Sequence, residues 1–204
     1  MTFVLGLTGS IGMGKSATAA LFRRLGVPVH DADAAVHALY RGRAAPLIED
    51  AFPGTVAGGA VDRRKLGQAV INDAEKLKRL ESIVHPLVRE EEENFLRRVS
   101  ATAPFAVLDI PLLLETGGED RCDAVLVVTA PPDVQHARVM ARPGMTEETF
   151  NAILAKQMPD AAKRARAHFL VDTSRGFASA EAQVRSIMAC LAGRPGRRNP
   201  RKSV

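Results

Sequence analysis

The 204-residue sequence predicts an α/β fold, a doubly wound, parallel five-stranded sheet in a single domain. Three observations carry this. A nearly continuous apolar run, Phe3 to Thr8, feeds directly into a glycine-rich loop, Gly9 to Ser16, and then into a segment of helical spacing. Four more short apolar runs follow, alternating with helix-like segments. Hydrophobic residues make up 46% of the chain, with nine aromatics and no Trp, enough for an aliphatic core in one domain of this length.

An unbroken apolar run of strand length suits a strand buried on both faces, so Phe3 to Thr8 is the first central strand. Ser16 to Leu25 has helical spacing, with Ala20, Leu21 and Leu25 apolar and Arg23 and Arg24 outward, and Gly26 stops it. Val27-Pro28-Val29 is a second short strand ending at His30-Asp31-Ala32-Asp33, which completes a parallel βαβ unit. Asp73 or Asn72 can cap a helix running to about Val84, with Leu77, Leu80 and Val84 on one face. Pro86 is expected to break it and to open a second helix carrying Val88, Phe95 and Val99 inward. The acidic run Glu90 to Glu93 then faces solvent, and Glu93 stands four residues before Arg97, the favourable order for an ion pair. Phe105 to Asp109 and Ala124 to Thr129 are further strands, and helix-like stretches follow at 132–141, 147–156 and 160–167. Phe169 to Asp172 is the last strand and Ala178 to Leu191 the last helix. Weak ordering is expected near Gly58-Gly59, near Gly117-Gly118 and in the tail.

The net charge of +5 resides in the tail. Without Arg194, Arg197, Arg198, Arg201 and Lys202, 23 basic residues face 23 acidic ones. A basic Gly/Pro/Arg segment at 194–204 reads as a solvated, disordered terminus on a domain spanning 1–193. Few aromatics argue against a stacking platform for single-stranded nucleic acid. Cys122 and Cys190 match no disulfide framework or metal spacing. No apolar run reaches membrane length, so a cytoplasmic protein without a membrane or specific nucleic-acid partner is expected.

The chemistry lies in Gly9-Ser10-Ile11-Gly12-Met13-Gly14-Lys15-Ser16, which fits the phosphate-loop pattern G-x-x-x-x-G-K-[ST] in full. Glycines let successive N–H groups converge on one anion, and the following helix adds its positive N-terminal end. Lys15 can reach the β- and γ-phosphates of a nucleotide, and Ser16 can offer its hydroxyl to Mg²⁺. No guanine-reading Asn-Lys-x-Asp is present. Asp31 and Asp33 follow the second strand, where open α/β sheets place ligands. Asp33 suits a base for an attacking hydroxyl or a water-mediated hold on Mg²⁺, and equally a cap for a helix over 34–41. Arg142, before Pro143-Gly144, stands at a lid-like bend where it suits a phosphoryl clamp or a solvated helix-end cation. Asp109 ends its strand as a Mg²⁺-orienting acid would.

In order and spacing, several segments together resemble the dephospho-CoA kinase family. They are the glycine loop, Asp31-Ala32-Asp33, His85-Pro86-Leu87, Asp109-Ile110-Pro111-Leu112-Leu113-Leu114-Glu115, Arg142 before a Thr-Glu-Glu helix start, and Gln157 with Lys163 and Val171-Asp172. The resemblance spans residues 4 to about 190. It implies a P-loop NTPase fold of the nucleoside-monophosphate-kinase type, with a helical CoA-binding region near 60–100 and a lid near 142–165. It implies ATP-dependent phosphorylation of the ribose 3′-hydroxyl of dephospho-CoA; Mg²⁺ is the expected cofactor, and a monomer or weak oligomer the expected state. The nucleotide would lie on Gly9, Gly12, Met13, Gly14, Lys15, Ser16, Ala17 and Arg142, with Asp33 as base and Arg142 as lid cation. His85, Glu115, Gln157 and Lys163 would be supporting or substrate-side positions. Two residues depart from the family pattern: Ala17 stands where Ser or Thr is usual, and His168 where Asp is usual. The alternatives are a gluconate- or shikimate-type small-molecule kinase and a nucleotide-binding regulator that transfers nothing.

Overall fold

The computed structural model describes residues 2–71 and 73–196. It contains a five-stranded sheet made of β1 (Phe3–Thr8), β2 (Val29–Asp31), β5 (Phe105–Asp109), β6 (Ala124–Thr129) and β7 (Phe169–Asp172), in the order β2-β5-β1-β6-β7. Strand β1 is parallel to β5, with Leu7 opposite Asp109, and parallel to β6 on its other side, and β6 is parallel to β7. The expected sheet is therefore present, with β2 two residues later than the apolar pattern suggests. A second sheet, a hairpin of β3 (Val56–Ala57) and β4 (Ala60–Val61), was not anticipated.

The chain divides into two compact units, one formed by the described residues up to His30 and from Val99 onward, the other by Asp31–Arg98. The first unit holds the sheet with α1 (Lys15–Arg24), α6 (Pro132–Met140), α7 (Glu147–Leu154), α8 (Asp160–Ala165) and α9 (Phe177–Leu191). Its core is aliphatic, as the composition dictates. Leu5, Leu7, Leu126 and Val128 of the central strands pack with Phe22 of α1 and Val184 of α9. The sheet is pinned at two strand starts by a polar side chain. Asp123 accepts from Val4 N–H at 2.7 Å, and His168 Nδ1 accepts from Val125 N–H at 3.1 Å. The imidazole thus performs the acceptor role that a carboxylate performs on the neighbouring strand.

The second unit packs α2 (Ala32–Tyr40), α3 (Ala44–Ala51), the hairpin, α4 (Arg63–Val70) and α5 (Ala74–Val99) around Leu39, Ile48, Phe52, Val61, Leu66 and Val84. Three expectations are corrected in it. Pro86 does not break a helix but lies inside the 26-residue α5. An interior proline costs about 3 kcal/mol or more. Leu80, Ile83 and Val84 before it and Leu87 and Val88 after it pack on the same core, so burial on both sides offsets that cost. Gly58-Gly59 is not loosely ordered: φ values of 59° and 81° make it the tight two-residue turn of the hairpin. The acidic run is not wholly solvated, because Glu92 is only 6% exposed, while Arg43 pairs with Glu90 at 2.5 Å and Glu91 at 3.4 Å. Arg97 donates to Asn94.

Asp73 caps α5 by accepting from Lys76 N–H at 3.0 Å, whereas Asn72 lies outside the described residues. The Gly117-Gly118 segment is also well packed, since Gly118 is buried and donates to Leu113 O at 2.8 Å. Most of the basic tail, residues 197–204, lies outside the described residues. Among the described residues no helix is long and apolar enough to cross a membrane.

Candidate active site

The glycine loop joins the carboxyl end of β1 to α1, at the edge where parallel sheets bind ligands. Gly12 and Gly14 have φ of 78° and 92°, and Gly14 stands at the cap position of α1 with no side chain bonded to the first turn. The N–H groups of that turn are thereby left to an anion. A Cβ on Gly12 would fall 2.6 Å from Val139 Cγ2 and 2.9 Å from Gln135 O, so glycine is required for packing as well as for conformation.

The loop is braced from three sides. Gln157 Oε1 accepts from Ile11 N–H at 3.1 Å, and Gln135 Nε2 donates to Ile11 O at 2.7 Å. Thr173, just past β7, donates to Met13 O at 2.8 Å and accepts from Arg138 Nη1 at 2.7 Å. Arg138 Nη2 also donates to Thr173 O at 2.8 Å. The buried Met13 sulfur accepts from Ala130 N–H at 3.1 Å.

Lys15 Nζ lies 2.6 Å from Asp109 Oδ1, an ion pair in which Asp109 is 3% exposed. The register that sets Leu7 beside Asp109 brings this acid to the loop. Ser16 and Ala17 are exposed in the first turn of α1, and Thr18 back-bonds to Gly14 O at 3.2 Å. Beside the loop opens a cleft of about 340 Å³, walled by Gly12, Ala17, Arg138, Arg142, Thr173 and Phe177 among others. Arg142 is exposed at the bend between α6 and α7, and Thr146 caps α7.

Glu115 and Lys163 form a second, buried pair. Lys163 Nζ lies 2.8 Å from Glu115 Oε1, and Lys163 has no exposed side-chain surface. Glu115 also accepts from Met158 N–H at 2.9 Å. Burial pushes its carboxyl up, but the Lys163 ammonium and the Met158 N–H together hold it below the usual range.

In the second unit, Asp31 rather than Asp33 caps α2, accepting from Ala34 N–H at 3.0 Å. The expected helix over 34–41 begins at Ala32 instead, so the cap role is already filled and the exposed Asp33 stands in the first turn. His85 is exposed on α5. In the first unit the fold gathers Lys15, Ser16, Ala17, Asp109, Arg142 and Gln157 around one loop.

Gln135, Arg138 and Thr173 were missed by sequence reasoning. Gln135 and Arg138 stand three apart on α6 and resemble an ordinary solvated helix face. Thr173 had a usable signal, a polar residue immediately beyond a strand's carboxyl end.

Comparison with known proteins agrees with this architecture. The dephospho-CoA kinase family model (CoaE) matches residues 3–179. A dephospho-CoA kinase of Mesorhizobium japonicum is 61% identical over 194 residues, covering 95% of this chain and 98% of that one. Among solved structures, TT1252 of Thermus thermophilus superposes with a TM-score of 0.83 at 40% identity, covering 96% of this chain and 99% of its own. A dephospho-CoA kinase from Campylobacter jejuni gives a TM-score of 0.70 at 25% identity, covering 93% and 96%.

Proposed function

The chain belongs to the dephospho-CoA kinase family, and from this membership and its braced phosphate loop we propose that it moves the γ-phosphoryl group of ATP to the ribose 3′-hydroxyl of dephospho-CoA, giving CoA and ADP. The observation that carries the reading is the loop from Gly9 to Ser16, fixed by Gln135, Gln157 and Thr173, beside a cleft that Arg138 and Arg142 wall.

Phosphoryl transfer is mostly positioning and charge neutralisation, and the proposed roles follow from that. The ATP phosphates lie on Gly9, Gly12, Met13, Gly14, Lys15, Ser16 and Ala17. Lys15 leaves Asp109 for the β- and γ-oxygens, and Arg142 closes over the transferring group and excludes water. The ribose 3′-oxygen attacks the γ-phosphorus as the bond to the β,γ-bridging oxygen breaks, so ADP departs. The hydroxyl proton passes to Asp33, which capping by Asp31 leaves available for this role. His85 is assigned to the acceptor side on family resemblance.

The donor set suits Mg²⁺, which keeps several waters and takes few protein ligands when phosphates supply the rest. Among the described residues no group of three or more His, Cys, Asp or Glu competes as a metal cage. Ser16 would hold the ion directly, and Asp109, once Lys15 has moved to the phosphates, through water. When bound, it neutralises charge on the β- and γ-phosphates. A cytoplasmic setting fits the two free cysteines, Cys122 and Cys190.

A coupled ADP-release assay with dephospho-CoA, gluconate, shikimate or no acceptor tests the reading. Release that depends on dephospho-CoA alone is expected. Equal slow release in every case would refute it.

A further inference from the structure

Family resemblance makes Glu115, Gln157 and Lys163 supporting or substrate-side positions, and their contacts lead to the phosphate loop. We propose that these three are positioning residues for ATP, a strut that sets the N–H of Ile11 in the phosphate loop. The proposal rests on the kinase reading above for its ATP, but not on the identity of the acceptor.

Lys163 exposes none of its side chain, so it has no surface with which to touch an acceptor. Its ammonium reaches Glu115 Oε1, and the same oxygen accepts from Met158 N–H. That N–H belongs to the peptide bond formed by the Gln157 carbonyl. Glu115 therefore fixes the backbone from which the Gln157 side chain projects, and that side chain accepts from Ile11 N–H at 3.1 Å. Each link is a direct contact: Lys163 to Glu115, Glu115 to the 157–158 peptide, Gln157 to the loop. The far end of the strut is also anchored. Asp160, the first residue of α8, accepts from Thr129 Oγ1 at 2.8 Å at the end of β6. Lys163 N–H bonds to Pro159 O at 3.0 Å.

A largely buried ion pair, here with Lys163 unexposed and Glu115 15% exposed, adds little stability over apolar residues of the same volume. Its value here is directional, because only an oxygen acceptor at Glu115 can hold Met158 N–H in place. Gln135 holds the next peptide unit through Ile11 O, so with the strut on Ile11 N–H both peptides flanking the Ile11 Cα are fixed, which keeps the following N–H groups turned toward the phosphates.

The test measures the Kd of a non-hydrolysable ATP analogue by calorimetry, alongside both KM values. Gln157→Met keeps side-chain length but cannot accept. It should weaken the analogue on the order of tenfold, the scale of one lost net hydrogen bond, and leave KM for dephospho-CoA within about twofold. Lys163→Met should weaken the analogue similarly. The double variant Glu115→Gln/Lys163→Met retains an acceptor for Met158 with no buried charge, and should recover to within about threefold of the unmodified protein. A tenfold rise in KM for dephospho-CoA with an unchanged analogue Kd in Gln157→Met would overturn the proposal, as would an unchanged Kd across all three variants. If Lys163→Met does not fold, Gln157→Met decides alone. If ADP release proves independent of dephospho-CoA, the acceptor reading fails while the analogue Kd still tests the strut.

Discussion

Replacing Gly12 by Ala separates two reasons for a glycine that usually act together. At φ of 78° an L-residue pays for left-handed backbone, about 1–2 kcal/mol. The added methyl would also stand 2.6 Å from Val139 Cγ2 and 2.9 Å from Gln135 O. Overpacking of that kind costs about 1–3 kcal/mol more, because a backbone carbonyl cannot swing aside. Gly26→Ala is the control, since φ is 83° there and nothing lies within 4 Å of the new Cβ. Its loss should stay near about 1–2 kcal/mol, against about 2–5 kcal/mol for Gly12→Ala. At about 2–4 °C per kcal/mol for a chain of this size, Gly12→Ala should melt about 2–12 °C below Gly26→Ala. Pushing on Gln135 and Val139 also displaces α6, which carries Arg138, so only Gly12→Ala should weaken binding of an ATP analogue. Circular-dichroism melts and calorimetry measure both quantities. Equal melting losses, or full nucleotide affinity in Gly12→Ala, would show that packing against α6 does not shape the loop.

Three further outcomes are expected. Lys15→Met should abolish transfer, because no other cation of the loop reaches the β- and γ-oxygens, and Lys15→Met/Asp109→Asn should not regain it, as read by kcat. Asp33→Asn should lower kcat by about a hundredfold or more with ATP affinity unchanged, and lost affinity with surviving turnover would make Asp33 a metal or structural residue. His168→Asp should stay within about 0.5 kcal/mol of the unmodified protein because it still accepts from Val125 N–H, while His168→Leu should lose about 1–3 kcal/mol. Chemical denaturation compares the two, and equal losses would remove the pinning role.

Four of the five strands of the sheet were legible in place because each is an apolar run long enough to span a buried layer, whereas β2, Val29–Asp31, shares only Val29 with the apolar run that announced it. The second unit was less so. Val56-Ala57-Gly58-Gly59-Ala60-Val61 does carry a hairpin signal, a Gly-Gly pair between two short β-prone pairs. Strands of two residues are too short for periodicity to register them. Pro86 misled for a different reason. A local breaker weighs a fixed cost against a term that only tertiary packing supplies, and five core-facing residues around it decide the outcome.

The site divides along the same line. The residues proposed to wrap the phosphates, Gly9 to Ala17, sit in one contiguous motif, since a single loop must wrap a single anion. Residues that hold the loop in shape come from α6, from the α7–α8 connection and from the end of β7, so no spacing rule can group them. Glu115 and Lys163 make the point most sharply. These two oppositely charged residues, 48 positions apart, were reached in the sequence only through family resemblance, as supporting or substrate-side positions. Only the structure shows that they pair with each other, and only the Met158 N–H shows which way the pair pulls. His168 is the converse case. It departs from the family pattern, yet its ring nitrogen accepts from a strand-start N–H of β6 as the Asp123 carboxylate does on β1, so an acceptor at that position needs no charge.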